Sequence, residues 1–164
     1  MLNVGHAWRD ITPEPGVTLC GFAARCNRPS DGVDDPLAVH AVAVEQDGER
    51  VLLLVYDLLA LGPAATEQLQ ARLAQAGLGI PEERRILCCT HTHSAPAAIT
   101  LLGCGEVHPE YWRQLAAATA AAATEACAAL RPATLSRLSA TRERRWCQTL
   151  ATALSKPAAR RDIL

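Results

Sequence analysis

The chain carries almost no net charge: sixteen lysines and arginines against seventeen aspartates and glutamates leave a formal −1 over 164 residues. No global field therefore draws it to nucleic acid or to an anionic membrane surface. Long apolar runs are also missing. The most apolar stretch, Val51 to Tyr56, falls far short of the ~20 residues that span a bilayer as a helix. The first residues, Met1-Leu2-Asn3-Val4-Gly5-His6, lack the basic start and apolar core of an export signal, so a cytoplasmic location is expected. There is no internal repeat, and no C-x-x-C pair among the cysteines at 20, 26, 88, 89, 104, 127 and 147. An odd, scattered set argues against a disulfide scaffold and against a structural zinc knuckle. Reduced, buried thiols are the expectation, with Cys88 and Cys89 as small core residues.

The length suits one domain and is too short for a complete (β/α)8 barrel of ~250 residues. Leu37 to Glu45 is mostly apolar and β-branched, Gln46-Asp47-Gly48-Glu49 carries the Asp-Gly turn signal, and Val51 to Tyr56 follows. That pattern predicts a hairpin. Because Val51 to Tyr56 does not alternate, burial on both faces is expected, with layers on each side of the sheet. Ala65, Leu69, Leu73 and Ala76 at helical spacing, then Gly77, predict a helix with a left-handed cap. Arg85 to Thr90 reads as the next strand, parallel to Val51–Tyr56 through a right-handed crossover. Pro109 opens an alanine-rich helix from about 110 to 130, stopped before Pro132. A short strand at 134 to 140 and an amphipathic helix carrying Trp146, Leu150 and Leu154 complete the expectations. The fold class is thus α/β, a mixed sheet with helices on its faces in a layered sandwich; residues 1–135 form the domain, and 136–164 a poorly defined carboxyl-terminal tail.

Of five histidines, two stand one residue apart in Ile86-Leu87-Cys88-Cys89-Thr90-His91-Thr92-His93-Ser94-Ala95-Pro96. In an extended segment such residues point to one side with Cα atoms about 6.6 Å apart, twice the ~3.3 Å rise per residue. Two imidazoles can then reach one zinc ion. A catalytic zinc usually takes three protein ligands and water, so the pair is an incomplete set. The carboxyl end of parallel strands is where α/β proteins collect ligands. His6, His40 and His108 read as structural histidines, and Asp57, closing the adjacent strand, as either a capping carboxylate or a brace behind a ligand.

Five motifs in order carry a resemblance: Ala7-Trp8-Arg9-Asp10-Ile11-Thr12-Pro13; Gly21-Phe22-Ala23 with Arg25; Gly32-Val33-Asp34-Asp35-Pro36-Leu37; Asp57-Leu58-Leu59-Ala60-Leu61; and Thr90-His91-Thr92-His93-Ser94-Ala95-Pro96. Together, over roughly residues 3 to 135, they resemble the amino-terminal domain of the neutral/alkaline non-lysosomal ceramidase family, zinc-dependent amidases that cleave the N-acyl bond of ceramide. The resemblance implies that His91 is a zinc ligand, that His93 contacts the substrate or transition state as a catalytic neighbour, and that Gly21 lies beside the reacting carbonyl. It implies a small-molecule or lipid-like amide substrate. Zinc would act as Lewis acid on its bound water while a neighbouring donor stabilises the oxyanion.

The chain departs from that family's pattern in three ways. Asp34 stands where the family has histidine and Ala95 where it has glycine, and the later histidine, glutamate and tyrosine ligands have no counterpart after Pro132. Two readings stay open: a zinc amidohydrolase carrying half of its site, which an oligomer or a second chain would complete, or a diverged domain without catalysis that survives as a binding module.

Overall fold

The structure, a computed structural model, describes residues 1–102 and 105–136. Its main sheet has five strands: β1 (Asn3–Asp10), β3 (Ala38–Gln46), β4 (Glu49–Tyr56), β5 (Arg85–Cys89) and β7 (Arg131–Pro132), in the order β5-β4-β3-β1-β7. A second sheet pairs β2 (Leu19–Gly21) with β6 (Ser94–Pro96). Among the described residues there are also two α-helices, α1 (Pro63–Gln75) and α2 (Pro109–Ala128), and short 3-10 turns at Ala23–Arg25 and Glu82–Arg84.

The expected hairpin is β3 and β4, antiparallel from Val39↔Tyr56 to Gln46↔Glu49. Its turn puts Asp47 at φ 55° and Gly48 at φ 83°, the double positive φ of a type I′ turn whose twist matches the strands. Between β4 and β5, which run parallel with Leu54 opposite Leu87, lies α1. Pro63 fits its first turn, where no N–H is required, and Gly77 at φ 66° ends it. Leu69 and Leu73 face inward from α1, and Tyr111, Leu115, Thr119, Ala122, Ala123 and Ala126 from α2. Small alanines let α2 lie close over β1 and β3, and at Gly5 the strand backbone meets the helix backbone directly. Arg9 on β1 pairs with Glu125 on α2.

The mixed α/β class is as expected, but cover on both sides of the sheet is not found among the described residues. Leu52, Leu54 and Tyr56 are fully buried beneath the helices, whereas Val51, Leu53 and Val55 keep part of their surface, so β4 alternates after all. The neighbouring strands repeat this. Val39, Ala41 and Ala43 are buried while His40 is exposed, and Trp8 and Ile86 are 54% and 50% exposed on the same side. Among the described residues one face of the sheet is core and the other is left apolar without a covering layer. On that surface His6 Nε2 and His40 Nδ1 lie 3.2 Å apart with their rings stacked, and Trp8 stacks on His40.

This geometry also corrects the expectation for the cysteines: of those described, only Cys20 is buried, and Cys88 faces out from the open side while Cys89 is half-buried against the core. Burial pushes the Cys89 thiol up to about 11, and Cys88 beside it adds to the rise. Since the thiolate is the nucleophile, dilute protein at pH 8 should be alkylated at Cys26 and Cys88 at least roughly tenfold faster than at Cys89 and Cys20. Peptide mass spectrometry of timed iodoacetamide quenches reads this; equal rates at Cys88 and Cys89 would contradict the assignment of faces.

The sequence expectation of a strand at 134 to 140 differs from what is seen. The last described strand is two residues at 131–132, pairing Val4 with Arg131 at the sheet edge, where Pro132 lacks no bond that an edge requires. Residues 137–140 and the helix expected around Trp146 lie outside the described residues, as does the tail beyond them. No helix among the described residues is long and apolar enough to cross a membrane.

Candidate metal and substrate site

The parallel ladder continues beyond β5: Thr90 N donates to Tyr56 O at 2.9 Å and His91 N to Leu58 O at 3.1 Å. At His91 the chain turns, with φ 69°, a left-handed conformation uncommon outside glycine. The extended geometry expected to align His91 with His93 is therefore absent. The two imidazoles meet by another route, edge to face with ring centroids 5.0 Å apart.

His91 is held by its ring. Nδ1 lies 2.9 Å from the carbonyl oxygen of Leu59. A carbonyl only accepts, so Nδ1 carries the hydrogen and the lone pair of the neutral ring is on Nε2. This is how metal-binding histidines are typically fixed, one nitrogen donating to a carbonyl and the other turned outward. The carbonyl is itself well anchored, because Leu58 and Leu59 are buried, Leu59 against Cys20 and Ala97.

His93 is positioned by β2 and the turn that follows it. Gly21 pairs with Ser94, at φ 131°, and a Cβ on Gly21 would come within 2.6 Å of His93 Cα, Cβ and O. Only glycine lets the backbone approach the histidine this closely. Phe22 lies against the His93 ring at 5.3 Å, and the Arg25 guanidinium stands 5.4 Å over Phe22. From there Arg25 donates to His93 O at 3.5 Å and to Ser94 Oγ at 3.4 Å. Arg25 is thus half-buried against this segment. Its place beside Gly21-Phe22 in the same motif was the available signal, but the partner segment lies nearly seventy positions away.

Asp57 is a brace. Its Oδ2 accepts from Ala38 N at 3.0 Å and its Oδ1 from Thr90 Oγ1 at 3.0 Å, joining the start of β3 to the end of β5. It thus supports the segment bearing His91 through the backbone. Asp34 lines a small cleft of about 30 Å³ that Ser94 also lines. Ala95, in place of glycine, is extended within β6 and fully buried, so no turn depends on it. His108 precedes α2, and His6 and His40 sit on the open sheet face, so none of the three joins the pair.

Among the described residues no group of three histidine, cysteine, aspartate or glutamate side chains could hold a metal ion. The pair fits zinc in donor type and in the tautomer of His91, and supplies two ligands at most.

Neither a protein-family model nor a curated protein matches the chain. Solved structures do share its fold. Neutral ceramidase from Pseudomonas aeruginosa superposes with a TM-score of 0.71 at 24% identity, over 80% of this chain and 22% of that one. A ceramidase complexed with C2 gives a TM-score of 0.71 at 22% identity, again over 80% of this chain and 22% of its own. The chain thus has the fold of part of a ceramidase and spans 22% of the length of either structure.

Proposed function

We propose that this chain is the histidine-bearing part of a zinc-dependent amidohydrolase acting on N-acyl, ceramide-like amides. The observation that carries the reading is the Leu59 carbonyl, which fixes Nδ1–H of His91 and leaves Nε2 as a donor beside a second imidazole. The likeness in fold to ceramidases supports it.

His91 would hold the ion through Nε2. When bound, zinc supplies Lewis-acid activation of water for attack on an amide carbon. The remaining steps fall to the chain's own groups. His93, locked between Phe22 and Gly21, is placed to donate a hydrogen bond to oxygen as charge develops there. Gly21 presents backbone without a side chain, so a planar amide can lie against β2. Arg25 keeps the His93–Ser94 backbone in place, and Asp57 does the same for Thr90. Two ligands give weak binding, and a full shell requires a donor from a second copy or another chain.

The test is zinc content by plasma mass spectrometry, with N-acyl amide hydrolysis, for wild type, His91→Ala and His93→Ala. Wild type should hold substoichiometric zinc and hydrolyse slowly. His91→Ala should lose the metal, a drop of roughly tenfold or more, while His93→Ala should keep a larger share and lose turnover. Equal zinc in all three proteins would remove His91 from the site. No zinc under any condition, with both variants as stable as wild type, would favour the non-catalytic binding module.

A further inference from the structure

A cavity of about 410 Å³ lies between the first turns of α1 and α2, walled by Ala65, Ala98, Ile99, Val107 and Trp112. Sites for small molecules have this size, ~300–1,000 Å³. Both helices open on proline, Pro63 and Pro109, and both prolines reach the lining. A helix start ordinarily presents N–H groups without helical partners, and proline has none to present, so the place where these two starts converge is less polar than helix ends usually are. Among the described residues no charged side chain lines the cavity, and Gln68 and Thr100 supply its polar side chains. An ionic group would lose its water here without gaining a charged partner. An uncharged apolar chain suffers no such loss.

The cavity adjoins the histidine pair through one stretch of backbone. Leu59, whose carbonyl holds His91, packs with Cys20 and Ala97, and Ile99 lies against that cluster. Two residues beyond Leu59, Leu61 bridges to Ala98, and Gly62 N donates to Ala98 O at 2.9 Å. Ala97 therefore backs the anchor of His91, while Ala98 and Ile99, the next two residues, wall the cavity. From Leu59 to Gly62 is three residues, at most about 10 Å of chain. An amide lying at His91 and His93 thus has an apolar hollow within reach of a flexible tail, at the carboxyl end of β4 where α1 begins.

We infer that this cavity takes the alkyl tail of the amide substrate, carried on the acyl or the amine side of the scissile bond. The inference rests on the amidase reading, and the two can fail separately.

Trp112 in the wall makes the cavity directly observable. N-acyl ethanolamides carry a tail on the acyl side and N-alkyl acetamides on the amine side. Both series, brominated at the chain end, of increasing length and kept below aggregation, are titrated against wild type, Trp112→Phe and His91→Ala by fluorescence quenching, and their hydrolysis is followed. In one series each added methylene should tighten binding by up to roughly fourfold until the cavity is full. That series names the side that bears the tail. Trp112→Phe should remove the quenched component, and His91→Ala should keep the length dependence. Ala65→Phe, which fills the cavity, should weaken binding of the longest tails at least roughly tenfold. Val107→Asp, at a position already 44% exposed, should do the same by placing a charge in the wall, and it remains the test should Ala65→Phe fail to fold. Affinity independent of length in both series, quenching that Trp112→Phe leaves unchanged, or binding that neither wall variant weakens would overturn the inference, even with amides hydrolysed. Length-dependent quenching that persists in His91→Ala, with no amide hydrolysed by wild type, would instead overturn the amidase reading and leave an alkyl chain as the occupant.

Discussion

Gly5→Ala is expected to destabilise the domain by about 3 kcal/mol, the upper end of what overpacking a close contact costs. The added methyl would stand 2.0 Å from the Ala126 carbonyl oxygen and 2.9 Å from Leu130 N, so β1 and the end of α2 must part. The loss would reach Tyr111, Leu115 and Ala122 on the same helix, all buried in the one core. Chemical denaturation of wild type and variant measures it. Because the collision is with backbone, Ala126→Gly should restore nothing, and rescue by that second change would show that side-chain crowding had been the cause. Denaturation at an unchanged midpoint would show that α2 does not lie against β1 as described.

For Gly21→Ala a similar loss, about 3 kcal/mol, is expected from two sources: the backbone conformation, costing about 1–3 kcal/mol for a side chain held there, and the approach to His93. Gly16 separates the two. It has φ 105° and open space around it, so Gly16→Ala carries the conformational part with no collision. The excess of Gly21→Ala over Gly16→Ala then reports how tightly β2 presses on the histidine. Because that contact fixes His93, the amide hydrolysis proposed above should fall further than the loss of folded protein accounts for. Equal effects at Gly16 and Gly21 would mean that the 2.6 Å approach relaxes freely.

Those two glycines show what a single sequence conceals. The hairpin, α1 and the strand from Arg85 were legible because turn chemistry at Asp47-Gly48, the 3–4 spacing of Leu69 and Leu73, and the flanking Gly77 act locally. Gly5 and Gly21 look like any strand glycine until α2 and β6, far along the chain, come to rest against them. The same holds for the pair itself. His91-Thr92-His93 was visible, but the φ of 69° at His91 and the Leu59 carbonyl that fixes its ring depend on how Asp57-Leu58-Leu59 packs. Val51 to Tyr56 misled in the other direction. An unbroken apolar run signals a strand that wants cover on both faces, and the described residues provide it on one.

The place of β1 in the sheet also governs the order in which the chain can fold. Residues 38 to 89 hold β3, β4, α1 and β5, neighbours in sequence and in space, and such local contacts form early because little loop entropy opposes them. β1 leaves the ribosome before its neighbours in the sheet yet sits between β3 and β7, under a helix whose Glu125 meets Arg9 across 116 positions. Until Pro109–Ala128 has emerged, the side of the sheet bearing Leu52, Leu54 and Tyr56 lacks that helix as well. A nascent chain stalled short of residue 109 therefore presents a sheet only partly covered on one side, with β1 not yet held by α2. A chaperone that binds exposed apolar strands would find its longest opportunity in that interval, and it closes when α2 docks.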